Sequence, residues 1–144
     1  MLVSCHSFIR VAKLAESLMD RGGSLTTLSF FGAERVVDHY NVMGPVKAAL
    51  ESSVRYLAHE LGGSNIRVNA ISAGAVQTRA ASGIKHFDDL LNESMRMAPL
   101  RRTVDACEVG RAALLLASDY ASGITGEVLH VDAGSHVSGM IFPE

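Results

Sequence analysis

Ile66-Arg67-Val68-Asn69-Ala70-Ile71 is short, β-branched at three of its six positions and free of turn residues. Such a run reads as a strand buried on both faces. Ser72-Ala73-Gly74 ends it, and Gly62-Gly63 separates it from a helical pattern that covers about residues 40–61. Further upstream, Ser24-Leu25-Thr26-Thr27-Leu28-Ser29-Phe30 reads as a second short strand, followed by a loop at Phe31–Arg35. Residues 4–20 place Phe8, Val11, Ala12, Ala15, Leu18 and Met19 at helical spacing, and Gly22-Gly23 stops that helix. The helical pattern begins within a few residues of Met1, as if the chain opened partway through an element.

Downstream of the central strand, residues 79–102 are mixed, with a weakly amphipathic piece at Phe87-Asp88-Asp89-Leu90-Leu91. Asp105-Ala106-Cys107-Glu108 has the form of a capping box. It predicts a helix through Val109, Ala112, Ala113, Leu115 and Leu116 to about Ser118. Gly123 to Gly126 turns the chain into a third strand, Glu127-Val128-Leu129-His130-Val131, which Asp132-Ala133-Gly134 ends. Strands alternating with helices imply right-handed crossovers and a parallel sheet, an α/β fold. Three strands make a thin parallel sheet, and such sheets need both faces covered.

The 144 residues fit one domain; 48% are hydrophobic and 19% charged, the composition of a core-forming chain. A formal net charge of −2 offers nucleic acid no general attraction. Cys5 and Cys107 lie far apart without paired spacing. They read as free thiols of a reducing compartment, with a single long-range disulfide as the alternative. No apolar run is long enough to span a membrane, the start lacks the pattern of a signal peptide, and a cytoplasmic location is the expectation. The six histidines show no ligand spacing and no Gly-x-Ser-x-Gly elbow is present, so neither a metal centre nor serine hydrolysis is expected.

The chemistry concentrates in Tyr40-Asn41-Val42-Met43-Gly44-Pro45-Val46-Lys47. On one continuous helix, at about 100° per residue, Tyr40 and Lys47 would share a face about two turns apart. Gly44 between them would let a flat ligand approach the backbone. A neighbouring ammonium favours a phenolate or strengthens a phenol as a donor, and such a group stabilises a developing oxyanion. The same spacing also suits a surface lysine beside a half-buried tyrosine. Ser72-Ala73-Gly74-Ala75-Val76-Gln77-Thr78 follows a strand end, where open α/β sheets bind ligands, although a plain strand-to-loop turn reads the same way. The long segment from Gly74 to Arg102 holds five basic and three acidic residues, a net +2. It reads as a lid at the ligand end of the sheet, or as a solvated surface helix.

Together these stretches resemble the C-terminal half of bacterial enoyl-acyl carrier protein reductases, the NADH-dependent type within the short-chain dehydrogenase/reductase superfamily. The matching blocks are Leu28-Ser29-Phe30-Phe31-Gly32-Ala33-Glu34-Arg35, Tyr40-Asn41-Val42-Met43-Gly44 with Lys47, and Arg67-Val68-Asn69-Ala70-Ile71-Ser72-Ala73-Gly74 with Thr78. Ala80-Ala81-Ser82-Gly83-Ile84, Arg101-Arg102-Thr103 and Gly126-Glu127-Val128-Leu129-His130-Val131-Asp132 complete them, in the family's order and spacing. Ordinary short-chain dehydrogenases place their tyrosine four residues before the lysine; here that position is Met43, and the tyrosine lies seven before.

The resemblance implies the C-terminal part of a Rossmann-like doubly wound parallel sheet, about three strands with flanking helices, in a single partial domain over residues 1–144. It implies NADH-dependent reduction of the trans-2 double bond of an enoyl thioester carried on acyl carrier protein, in fatty acid synthesis. Tyr40 would hydrogen-bond the thioester carbonyl and stabilise the enolate, with the source of the proton left open. Lys47 would hold the nicotinamide ribose, Val76 would present its backbone to the carboxamide, and Thr78 would reach the pyrophosphate, with Gly74 in the same cofactor-binding turn. Met43, Ile84, Phe87 and Leu90 would line the acyl pocket beside Phe30 and Tyr40, and residues 78–102 would form the substrate-binding segment. Family members are homotetramers, so self-association is expected.

Two local departures stand out: Phe30 occupies a position where many members carry a second tyrosine and others phenylalanine, and Ala75 replaces a common proline. Pro45 lies inside the helix pattern. The third departure is the largest. The family's Gly-rich first turn, its adenine-ribose residue and its first four strands have no counterpart in the sequence, which leaves the strand at 24–30 with an exposed edge. Two other functions remain open: a non-catalytic fragment competent only for oligomer or partner contacts, and an ordinary short-chain ketoreductase, against which Met43 argues.

Overall fold

The strand expected at 66–71 is the middle of the sheet. The computed structural model describes residues 1–78 and 87–139. Strand β2 (Ile66–Ala73) pairs in parallel with β1 (Gly23–Phe30) on one side and with β3 (Val128–Val131) on the other. The register sets Phe30 opposite Ala73 and Ala73 opposite Val131, so all three strands end at one level. In β2 every residue except Arg67 and Ala73 is buried. This is the pattern of a strand covered on both faces.

Alternation along β2 assigns the two faces. Ile66, Val68 and Ala70 pack with Ala12 of α1 (Ser7–Glu16) and with Val54, Ala58 and Leu61 of α2 (Met43–Leu61). Ile71 points the other way, onto Leu116 of α4 (Ala106–Ala117) and Ala121, with Leu129 and Val131 of β3 alongside. Two helices therefore cover one face and one helix the other. α1 is preceded by a turn of π-helix at Leu2–His6, so the early helical start expected from the sequence is present.

Buried polar side chains fix the connections. Asn69, fully buried, donates to the Ile124 carbonyl and accepts from the Glu127 amide, each at 3.0 Å. The turn leading into β3 is thereby tied to β2. Arg67 donates to the carbonyls of Leu116 at 2.8 Å and Ser118 at 3.2 Å, satisfying the open end of α4. α4 begins with the expected capping box: Asp105 accepts from the Glu108 amide at 2.8 Å and the Glu108 carboxylate accepts from the Asp105 amide at 3.0 Å. Cys5 is buried and Cys107 exposed, and both are free thiols.

Two expectations are corrected. The helix expected from about residue 40 starts at Met43, and Tyr40 lies in the turn before it. His39 (φ 64°) and Asn41 (φ 49°) are left-handed, which a continuous right-handed helix excludes. Pro45 then falls in the first turn of α2, where a missing N–H breaks no helical hydrogen bond. The segment from Gly74 to Arg102, read as mixed with only a weakly amphipathic piece at Phe87–Leu91, contains the longer helix α3 (Phe87–Met97). Asp88 and Asp89 sit in its first turn and Arg96 in its last, each sign matched to the helix dipole, and Phe87 is buried at its start.

Candidate active site

The site gathers at the carboxyl ends of the three strands. Beyond Phe30 the chain makes one 3-10 turn (Phe31–Ala33) and reaches Tyr40 through Arg35–His39. The Tyr40 ring returns onto Phe30, with centroids 4.9 Å apart and planes inclined by 60°. Gly32 allows this, because a Cβ there would lie 2.4 Å from Tyr40 Cδ1. Gly44, at the start of α2, admits a close approach of backbone, since its added Cβ would lie 2.9 Å from the Gly32 carbonyl oxygen. The turn and the helix start thus close on each other through two glycines.

Lys47, one turn into α2, donates from Nζ to the Leu28 carbonyl of β1 at 2.7 Å. Tyr40 and Lys47 therefore both reach the end of β1, the first from a turn and the second from a helix. They converge without the shared helical face that the sequence suggested. Burial raises the Tyr40 phenol above its ordinary value, so the group is a neutral donor at physiological pH. The sequence had left phenolate and phenol open; desolvation selects the phenol. Burial lowers the Lys47 ammonium, and the Glu51 carboxylate acts in the opposite direction.

The turn after β2 adjoins this pair, because Gly74 follows Ala73, the partner of Phe30 in the register. Gly74 donates to the Val131 carbonyl at 2.9 Å and presses against Asp132, whose Cα would lie 2.9 Å from a Cβ at position 74. Ala75 is buried, Val76 packs on Ala98, Val104 and Ala133, and Thr78 is exposed. Met43 packs on the cluster of Cys5, Val46 and Leu50. Phe87 is buried and Leu90 half-buried on α3, which lies beside the turn at Ser135–Val137. Ile84 and the rest of 79–86 lie outside the described residues.

Sequence reasoning missed two polar arrangements here. Ser29 of β1 donates to the buried carboxylate of Glu51 on α2. Helical phase was the available signal, since Glu51 is one turn beyond Lys47. The second arrangement follows β3. Asp132 accepts from the amides of Gly134 at 3.0 Å and His136 at 2.9 Å, and from the Ser135 hydroxyl at 3.0 Å. Burial pushes its carboxyl up, but hydrogen bonds from His136, Ser135 and Gly134 outweigh that and hold it below the ordinary value. His136 stacks on His130 with centroids 4.0 Å apart, and His130 Nε2 meets Glu34 Oε1 at 3.1 Å. Asp132 had signalled only the end of a strand.

The family described as Enoyl-(Acyl carrier protein) reductase matches residues 1–136, a span that includes every element of the site. The chain belongs to that family. Among relatives, it is 57% identical over 138 residues to enoyl-[acyl-carrier-protein] reductase [NADH] 1 of Rhizobium meliloti, covering 96% of this chain and 51% of that protein. It is 49% identical over 138 residues to the Escherichia coli enzyme FabI, covering 96% of this chain and 53% of the relative. The solved enoyl reductase of Anaplasma phagocytophilum, in complex with NAD, superposes with a TM-score of 0.88 at 54% identity, over 95% of this chain and 50% of that one. FabI from Candidatus Liberibacter asiaticus superposes at 0.93 with 47% identity, over 96% and 54% of the two chains. The chain thus spans about half the length of the family members it matches. No helix among the described residues is long and apolar enough to cross a membrane.

Proposed function

We propose that this chain carries the tyrosine–lysine half of an NADH-dependent enoyl-acyl carrier protein reductase of fatty acid synthesis. The observation that carries the reading is the convergence of Tyr40 and Lys47 on the end of β1, beside the turn that follows β2. The donor set fits the cofactor's nicotinamide half: an ammonium at Lys47 for ribose hydroxyls, the Val76 backbone for the carboxamide in the turn that Gly74 begins, and a hydroxyl at Thr78 for phosphate. NADH, when bound, supplies the hydride. Tyr40, neutral and half-buried, donates its phenolic hydrogen bond to the thioester carbonyl and stabilises the charge that develops there. Lys47 fixes the ribose and adds positive field close to that oxygen.

Phe30 forms the wall on which the Tyr40 ring rests, so substrate meets one phenol and an apolar surface. Phe87 and Leu90 of α3, with Met43 and Ile84, are assigned to the acyl pocket, and residues 78–102 to the segment that closes over it. An apolar slot with few polar groups suits a fatty acyl chain. The substrate is the enoyl thioester on acyl carrier protein. Assembly into a homotetramer is part of the same reading.

The test is NADH oxidation with a short trans-2-enoyl thioester, alongside NADH binding followed by fluorescence. Tyr40→Phe is expected to lower kcat/KM by about 10²- to 10³-fold with NADH affinity retained. Lys47→Ala is expected to weaken NADH binding itself. An unaltered chain that assembles yet neither binds NADH nor turns over would overturn the catalytic reading and select a contact-only fragment. Preference for a β-keto thioester would select a ketoreductase.

A further inference from the structure

Glu51 is a buried carboxylate for which the proposed chemistry has no use. It is 6% exposed, and among the described residues only Asp132 is a comparably buried acid. An isolated buried carboxylate is costly, so one that is kept is paired and oriented by something. Ser29 of β1 supplies the hydrogen bond. The neighbouring residue of β1, Leu28, supplies the carbonyl that accepts from Lys47 Nζ at 2.7 Å. Two successive residues of one strand therefore hold two residues of α2 that are one helical turn apart. Such a cross-brace fixes both the height and the rotation of α2 against the strand.

We propose that Glu51, seated by Ser29, is a positioning residue for Lys47: the brace aims the ammonium at the end of β1 and sets a carboxylate one helical turn from it. The inference rests on the assignment of Lys47 to the cofactor. The Glu51 carboxylate opposes the fall that burial imposes on the Lys47 ammonium. Glu51 opens on a cleft that Arg55 of α2, Glu34 just after the 3-10 turn, and Glu127 and His130 at β3 also line, while β1 offers it the uncharged Ser29.

Competitive acetylation across pH 8–11, read by peptide mass spectrometry, gives the ionisation curve of Lys47, with exposed Lys13 as reference in the same chain. Glu51→Gln keeps an acceptor for Ser29 but removes the charge. It is expected to move the Lys47 midpoint down by about one pH unit and to leave Lys13 unmoved. Ser29→Ala, which frees the carboxylate, is expected to give a smaller shift in the same direction. Glu127→Gln removes another carboxylate of the cleft and should leave the midpoint in place. An unchanged midpoint in Glu51→Gln, or an equal shift in Glu127→Gln, overturns the proposal. NADH binding compared between the unaltered chain and Lys47→Ala separately decides the cofactor role of Lys47, because the labelling curve needs no bound cofactor.

Discussion

The two ionisable groups at the end of β1 are both shifted toward their neutral forms by burial, and the consequences differ. For Tyr40 the neutral form is the donor that the proposed oxyanion stabilisation requires, so desolvation would assist it. For Lys47 the neutral form has lost the charge, and Glu51 opposes the loss. Both groups depend on the approach of Gly44 to Gly32, where a methyl group would meet a backbone oxygen at 2.9 Å. Gly44→Ala is therefore expected to push the start of α2 away from the turn. The destabilisation expected is about 1–3 kcal/mol, read from the urea midpoint. NADH-dependent turnover should fall well beyond that of a surface alanine variant, because small misplacements of reacting groups are amplified. A variant as stable and active as the parent would show that the approach is incidental. The residue types at this site were legible from the interval between Tyr40 and Lys47. Their geometry was not, because left-handed backbone, as at His39 and Asn41, is a minority conformation even for the residue types enriched in it.

Among the elements, α4 shows where local sequence suffices. Its start was readable because the capping box joins residues only three apart. The start of α2 was misread because no comparable cap marks it and the helical pattern continues back through Tyr40. α3 was half seen: its first turn was amphipathic, but Met97 and the pairing of Glu93 with Arg96 extend it beyond that piece. The capping box also carries a pH signature. Hydrogen bonds from Arg102, with the Asp105 amide next, hold the Glu108 carboxyl at about 2 instead of its ordinary 4.5. A depressed carboxyl contributes stability that is fully present above its unfolded value and is lost as pH falls through its folded value. The advantage of the parent over Glu108→Gln in thermal melts should hold above about pH 5 and shrink steadily toward pH 2. A gap that stays constant across that range would mean that the ion pair with Arg102 does not act on folding. Asp105→Ala, which removes the cap itself, is expected to cost about 1 kcal/mol at neutral pH.

At the scale of the whole molecule, the sheet is covered but its surroundings are not. β1 is an edge strand among the described residues, as the sequence reading anticipated, and Leu28 on it is 53% exposed. Leu28 faces the side of the sheet that α4 covers, since the register sets it opposite Ile71. Leu114 and Leu115 of α4 are also exposed, and on the other face α1 turns Val11 and Leu14 outward, with Leu18 exposed just beyond its end. Parallel sheets need both faces and both edges protected, and a soluble monomer rarely leaves so much apolar surface bare. The three-strand α/β sheet was visible in the sequence through its alternation of strands and helices. The uncovered surface was not, because hydrophobic spacing alone does not distinguish a side chain buried in its own chain from one that awaits a partner. In sedimentation experiments the weight-average mass should rise with concentration above the 15.3 kDa of one chain. Leu28→Lys, which sets a charge on the edge strand and leaves the backbone carbonyl for Lys47 in place, should move the distribution toward the monomer. Leu114→Glu should do the same if the α4 face takes part, and the two substitutions should add if edge and face form separate contacts. A single 15.3 kDa species at every concentration would show that the exposed apolar surface is tolerated by the isolated chain.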